Sequence, residues 1–138
     1  EVRGGTAYSM VVISDEAIAS PLISEPTICV AMNGPSFLKY EAKVKTRGLL
    51  IMNKSIIDSP AKRKDIEILN IPITELAREA GDHRIGNMVG LGALLGKRKI
   101  IALESLINGL EDIVSSTYHN LLPVNEKAIR KGFEYGSR

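Results

Sequence analysis

Apolar and polar residues fall into blocks along this chain, and the block period changes about half-way. In the first half the blocks are short and strand-like. Ala7–Ile13 reads as a strand, closed by the polar Ser14-Asp15-Glu16. Ala17–Ile23 carries Ser20-Pro21, which biases it away from helix. Thr27–Met32 is nearly all apolar and partly β-branched, the pattern of a strand buried on both faces. Asn33-Gly34-Pro35 breaks it, and Ser36 is positioned to cap a helix over Phe37–Val44. Gly48–Met52 reads as a second buried strand, and Ile66–Ile71 as a third, less strictly alternating one.

The second half is helical. Pro72 stops the third strand, and Thr74 caps a short helix whose apolar stripe is Ile73, Leu76, Ala77 and Ala80, with Gly81 ending it. Arg84–Leu95 has helical spacing over Ile85, Met88, Val89 and Leu95. Leu103–Ser115 has the cleanest period, and a last helix, capped by Asn125, carries Ala128, Ile129 and Phe133. Short βα spacing predicts parallel strands with helices on both faces, a Rossmann-like three-layer α/β/α sandwich with a mostly parallel or mixed sheet. The strand count is low for such a sheet, so the expectation is one domain over residues 1–138 that lacks its first βα unit.

Composition narrows the function classes. A net charge of +2 over 138 residues gives no footprint for nucleic acid or an anionic membrane. The single cysteine, Cys29, excludes a disulfide framework and a protein-held iron–sulfur cluster of the usual four-thiolate kind. No apolar run reaches the roughly 20 residues of a membrane span. A soluble, cytoplasmic domain is expected.

The candidate motifs are incomplete. Gly90–Arg98 has Leu91 where a phosphate loop needs glycine and Arg98 where it needs Ser or Thr. Gly86/Gly90 and Gly92/Gly96, each four apart, instead suit close helix packing. Gly34-Pro35-Ser36-Phe37-Leu38 is a nucleophile elbow with its second glycine replaced. His83 and His119 have no partner nearby in sequence, which argues against a triad or a zinc site. The carboxylate pairs read as caps or solvated faces. Lys62-Arg63-Lys64 and Lys97-Arg98-Lys99 read most simply as solvated loops, better suited to a phosphorylated ligand than to a nucleic-acid strand. With no metal set and no catalytic constellation, the domain is expected to serve chemistry carried elsewhere.

Several segments in order carry a family pattern. They include Arg3-Gly4-Gly5-Thr6-Ala7, Val30-Ala31-Met32-Asn33, Ile51-Met52-Asn53-Lys54-Ser55, Ile71-Pro72-Ile73-Thr74-Glu75-Leu76-Ala77, Asn87-Met88-Val89-Gly90-Leu91-Gly92-Ala93 and Pro123-Val124-Asn125-Glu126-Lys127-Ala128. Together they resemble the gamma subunit, or gamma domain, of 2-oxoacid:ferredoxin oxidoreductases acting on pyruvate, 2-ketoisovalerate or 2-oxoglutarate. The resemblance implies an accessory subunit of an enzyme that oxidatively decarboxylates a 2-oxoacid to acyl-CoA and passes electrons to ferredoxin. It implies thiamine diphosphate, Mg²⁺ and iron–sulfur clusters held by alpha, beta and ferredoxin-like partner subunits. The gamma domain would pack on the catalytic subunits and help enclose the coenzyme A side. The Gly-rich strand–turn–helix with which such domains usually begin does not precede the Arg-Gly-Gly loop here.

Within this resemblance the candidate binding residues are Arg3, Gly4 and Gly5, in the family loop, and Asn33, Ser36, Asn53 and Ser55, at the strand carboxyl ends where open α/β sheets bind ligands. Asn87 and Met88, opening the glycine-spaced helix, are candidates for interface packing. No residue is assigned a catalytic or metal-binding role. The alternative is a stand-alone nucleotide- or coenzyme-A-binding regulatory module, with a homodimer of the isolated chain left open. A small hydrolase using Ser36 is a third, weaker reading.

Overall fold

Three parallel strands form the centre of the computed structural model, which describes residues 7–20 and 22–138. They are β1 (Ile28–Ala31), β2 (Leu49–Asn53) and β3 (Glu67–Ile71), in the order β1-β2-β3, with Val30 opposite Ile51 and Ile51 opposite Leu69. All five residues of β2 are buried. Because side chains alternate along a strand, Leu49 and Ile51 serve one face of the sheet and Leu50 and Met52 the other.

The Leu49/Ile51 face is covered by α2 (Ile73–Ala80), α3 (Gly86–Lys97) and α5 (Leu122–Gly136), with Ile73, Ala77, Val89, Ala93 and Ala128 in one core. The Leu50/Met52 face is covered by Phe37 of α1 (Gly34–Tyr40), by Val44 beyond the 3-10 turn Glu41–Lys43, and by Ile57 and Ile66. The layered α/β arrangement is the one expected from the βα spacing. One further helix, α4 (Leu103–Ile113), joins the rest chiefly through α5.

Several local expectations need correction. Ala7–Ile13 is not a strand: it is irregular, and Tyr8, Val11 and Ile13 are 63%, 75% and 74% exposed. An apolar run becomes a strand only when a neighbour satisfies its backbone, and no described strand pairs with this one. β1 is an edge strand, so Val30 is exposed rather than buried on both faces. Asn33, not Ser36, caps α1, its Oδ1 accepting from the Ser36 N–H at 2.9 Å. Thr74 lies inside α2, which begins at Ile73. Asn125 is buried in the first turn of α5, which starts at Leu122 with Pro123 in the position its fixed φ favours. α4 has the expected period, yet only Leu110 on it is buried.

α3 and α5 approach each other backbone to backbone. A Cβ on Gly92 would strike the Ile129 carbonyl, and one on Gly96 would strike that of Phe133. The relation is reciprocal, because a Cβ on Gly132 would strike the Val89 carbonyl and one on Gly136 that of Ala93. The two backbones therefore touch with no side chain between them. Gly92 and Gly96 do pack a helix, as their spacing predicted. The matching Gly132/Gly136 pair on α5 has the same four-residue spacing and completes the contact.

Ion pairs fasten the periphery. Arg130 joins Glu104 of α4 to Glu126 on its own helix, and Lys131 reaches Glu79 of α2 at 2.7 Å. Lys97 and Arg98 both bind Glu67, at 2.9 and 2.5 Å, and are not the free basic loop their sequence suggested. Arg63 is likewise committed, to Asp65 and to the Ala42 and Val44 carbonyls.

Candidate functional site at the strand carboxyl ends

A polar network spans the carboxyl ends of all three strands. Asn53, the last residue of β2, is 2% exposed, and its Nδ2 donates to the Met32 carbonyl at 3.3 Å and to Thr74 Oγ1 at 3.1 Å. Its Oδ1 accepts from the Ser55 N–H at 3.3 Å. One buried amide thus ties the end of β1, the turn after β2 and the first turn of α2. This is the satisfaction a buried polar side chain requires.

Ser55 extends the network. Pro72 occupies the cap position of α2 and supplies no side-chain acceptor. The Ser55 hydroxyl instead accepts from the Thr74 N–H at 3.0 Å, so a residue from the neighbouring strand turn does the work of an N-cap. The same hydroxyl donates to Glu75, and that bond, with the Glu75 backbone N–H, holds the Glu75 carboxyl below its ordinary range.

The first turn of α3 closes in from the side: a Cβ on Gly86 would meet Ile73 Cγ2 at 3.1 Å and Met32 Cε at 3.3 Å. The amino ends of α2 and α3 therefore adjoin the strand carboxyl ends, giving this edge a positive helix-dipole potential. The structure brings Asn33, Ser36, Asn53 and Ser55 to this edge, with Asn87 exposed and Met88 half-buried on α3 beside it. Arg3, Gly4 and Gly5 lie outside the described residues. Thr74 and Glu75 also belong to the network, although their sequence positions suggested only a helix cap and a solvated carboxylate. Their signal was a Thr-Glu pair one residue after the Ile71-Pro72 strand end.

The network can orient and hydrogen-bond a ligand, but it contains no nucleophile–histidine pair. Ser36 is buried at the third position of α1, its N–H held by Asn33. His83 is exposed beside Asp82, and His119 Nε2 lies 2.9 Å from the Val114 carbonyl. Among the described residues no three His, Cys, Asp or Glu side chains are grouped as metal ligands. No described helix is long and apolar enough to cross a membrane. A separate cleft of about 320 Å³ lies between α4 and α5, lined by Ile107, Leu110, Glu111, Leu122 and Glu126 among others, and contains none of the predicted site residues.

Residues 1–135 match the pyruvate ferredoxin/flavodoxin oxidoreductase family. The chain belongs to this family. As a pyruvate ferredoxin/flavodoxin oxidoreductase domain it is 33% identical to 2-oxoglutarate synthase subunit KorC of Methanocaldococcus jannaschii, across 97% of this chain and 71% of KorC. It is 27% identical to ketoisovalerate oxidoreductase subunit VorA of Methanothermobacter marburgensis, across 100% of this chain but only 29% of VorA. The gamma subunit of the keto/oxoacid ferredoxin oxidoreductase of Geobacter sulfurreducens has the same fold, with a TM-score of 0.72 at 20% identity over 80% of this chain and 64% of that one. The domain thus spans most of one relative and under a third of another.

Proposed function

We propose that this domain is the gamma-type accessory part of a multi-subunit 2-oxoacid:ferredoxin oxidoreductase. The observation that carries the reading is likeness over 97% of the chain to a 2-oxoglutarate synthase subunit, together with recurrence of the domain inside the longer ketoisovalerate subunit. Free or fused, the unit belongs to an oxidoreductase subunit. In this role it packs on the alpha and beta subunits, which bind thiamine diphosphate and Mg²⁺, while a ferredoxin-like subunit holds iron–sulfur clusters and ferredoxin accepts the electrons.

The residues of this chain do not fit the clusters. Cys29 is its one cysteine, and burial pushes that thiol upward, away from the thiolate a cluster iron binds. What the chain offers is the polar edge around Asn33, Asn53, Ser55 and Thr74, with Arg3-Gly4-Gly5 as a further anion-binding loop. We assign to this edge contact with the coenzyme A or 2-oxoacid side of the complex. Its part is to bind and orient, and the bond-making steps belong to the partners.

Tagged protein expressed with its neighbouring genes should bring down cluster-bearing partners as a brown complex. That complex should show coenzyme-A-dependent reduction of a viologen dye by a 2-oxoacid. A colourless homodimer that binds coenzyme A alone would support the stand-alone module instead. Within the complex, Arg3→Ala should raise the KM for coenzyme A or 2-oxoacid by about tenfold, as loss of one charge-assisted contact does, while leaving the melting temperature in place. Unchanged kinetics would leave the Arg-Gly-Gly loop as packing.

A further inference from the structure

The chain's positive charge is concentrated in one place. Residues 38–65 carry eight Lys or Arg and three Asp or Glu, a net +5 within a chain whose total is +2. The fold gathers two basic segments of this stretch. The buried Glu41 carboxylate accepts from the backbone N–H groups of Lys62 and Arg63, and Arg63 in turn donates to the Ala42 and Val44 carbonyls. The Arg47 N–H donates to the Asp65 carbonyl at 2.8 Å. These bonds engage both acids: Glu41 is buried and spent on backbone, and Asp65, though its side chain is 46% exposed, is held by Arg63 and Thr46. Lys43, Lys45, Arg47, Lys62 and Lys64 remain exposed around the seam. Lys43 connects this seam to an aromatic pair, its ammonium 5.7 Å from the Tyr40 ring. Tyr8, 63% exposed, lies edge-on to Tyr40, with the Lys39 ammonium 5.6 Å from the Tyr8 ring. Leu38 of α1 is 64% exposed.

Exposed cations next to exposed apolar and aromatic side chains have the composition of a protein–protein contact. We propose that the face built by α1, the 3-10 turn Glu41–Lys43 and the 62–65 loop docks an acidic protein surface. The proposal stands independently of the oxidoreductase reading. A nucleic-acid strand is the poorer fit, because Tyr8 and Tyr40 pack edge to face with lysines over their rings instead of offering stacking platforms. A lipid surface is the poorer fit as well, since α1, at seven residues, is too short to present an amphipathic face to a bilayer.

The full-length protein should be titrated against fluorescein-labelled poly-L-glutamate and read by anisotropy. Affinity should fall by about tenfold or more between about 50 mM and about 300 mM NaCl, as screening shortens the Debye length. The triple variant Lys43→Glu/Lys45→Glu/Lys64→Glu should lose about tenfold or more at low salt, through like-charge repulsion. Arg78→Glu/Lys99→Glu/Lys127→Glu makes the same change in net charge on exposed residues elsewhere, and should stay within about threefold of the parent. Circular-dichroism melts check folding, and Lys64→Glu alone, with a smaller loss of the same kind, replaces the triple variant if that fails to fold. Equal losses in the two triple variants would overturn the proposal. So would no detectable polyglutamate binding, or tighter binding to polyuridylate or to phosphatidylserine vesicles.

Discussion

The α3–α5 pair and the 7–25 segment with α4 are both rich in apolar residues, and the protein treats them in opposite ways. α3 and α5 meet backbone to backbone, four glycines marking the contact. In contrast, Tyr8, Val11, Ile13, Ile18 and Leu22 are exposed, as is Ile113 at the end of α4. Hydrophobicity sets how much burial is available, but burial itself needs a complementary surface. The glycine pairs have one within the chain, whereas Val11, Ile13, Ile18, Leu22 and Ile113 are left largely uncovered among the described residues.

The sharpest way to break this contrast is Gly132→Val. The new side chain would meet the Val89 carbonyl and the Ala93 N–H, and the helices would have to separate. We expect a loss of about 3 kcal/mol or more, read as a fall in the urea midpoint. Next comes Leu50→Ala, in the fully buried strand β2, at about 3 kcal/mol. Its counterpart Val11→Ala, at a residue 75% exposed, should change the same midpoint by less than about 0.5 kcal/mol. A large effect at Val11 would mean that the segment is covered in solution.

Glu41→Ala tests a polar anchor by the same measure. It would strip the acceptor from the Lys62 and Arg63 N–H groups and should cost about 2 kcal/mol, with faster proteolysis of the 54–66 segment as a second readout. The only favourable change is Gly109→Ala in α4. Nothing lies within 4 Å of the added Cβ, so helix propensity alone should raise stability by up to about 1 kcal/mol. A loss there would show that α4 is pressed against another surface.

What could be read from the chain follows the range of the interaction. β1, β2, β3 and α2 were legible because their signals are local: near-continuous apolar runs in β1 and β2, a looser apolar–polar alternation in β3, Pro72 as a stop and Gly81 at φ 132° as a terminator. The wrong assignment of Ala7–Ile13 has the opposite origin, since a strand's hydrogen bonds come from another segment that its own sequence does not specify. The site was half legible for the same reason. Asn53 and Ser55 follow from their place at the end of β2, but the role of Ser55 at the start of α2 joins residues 19 apart. Arg98 looked like a solvated charge because Glu67, which holds it, lies 31 residues away. Arg63 is held both by Asp65, two residues on, and by the distant Ala42 and Val44 carbonyls.

The glycine contact has a mechanical consequence. Where two helices touch through side chains, a push on one is absorbed by rotamer changes. At their four glycines α3 and α5 have no rotamers to yield, so a displacement of α5 there is passed on to α3. α3 begins beside Met32 and Ile73, at the carboxyl ends of the strands. The pair forms a stiff lever, its far arm on the outer helix layer and its near end against the polar edge.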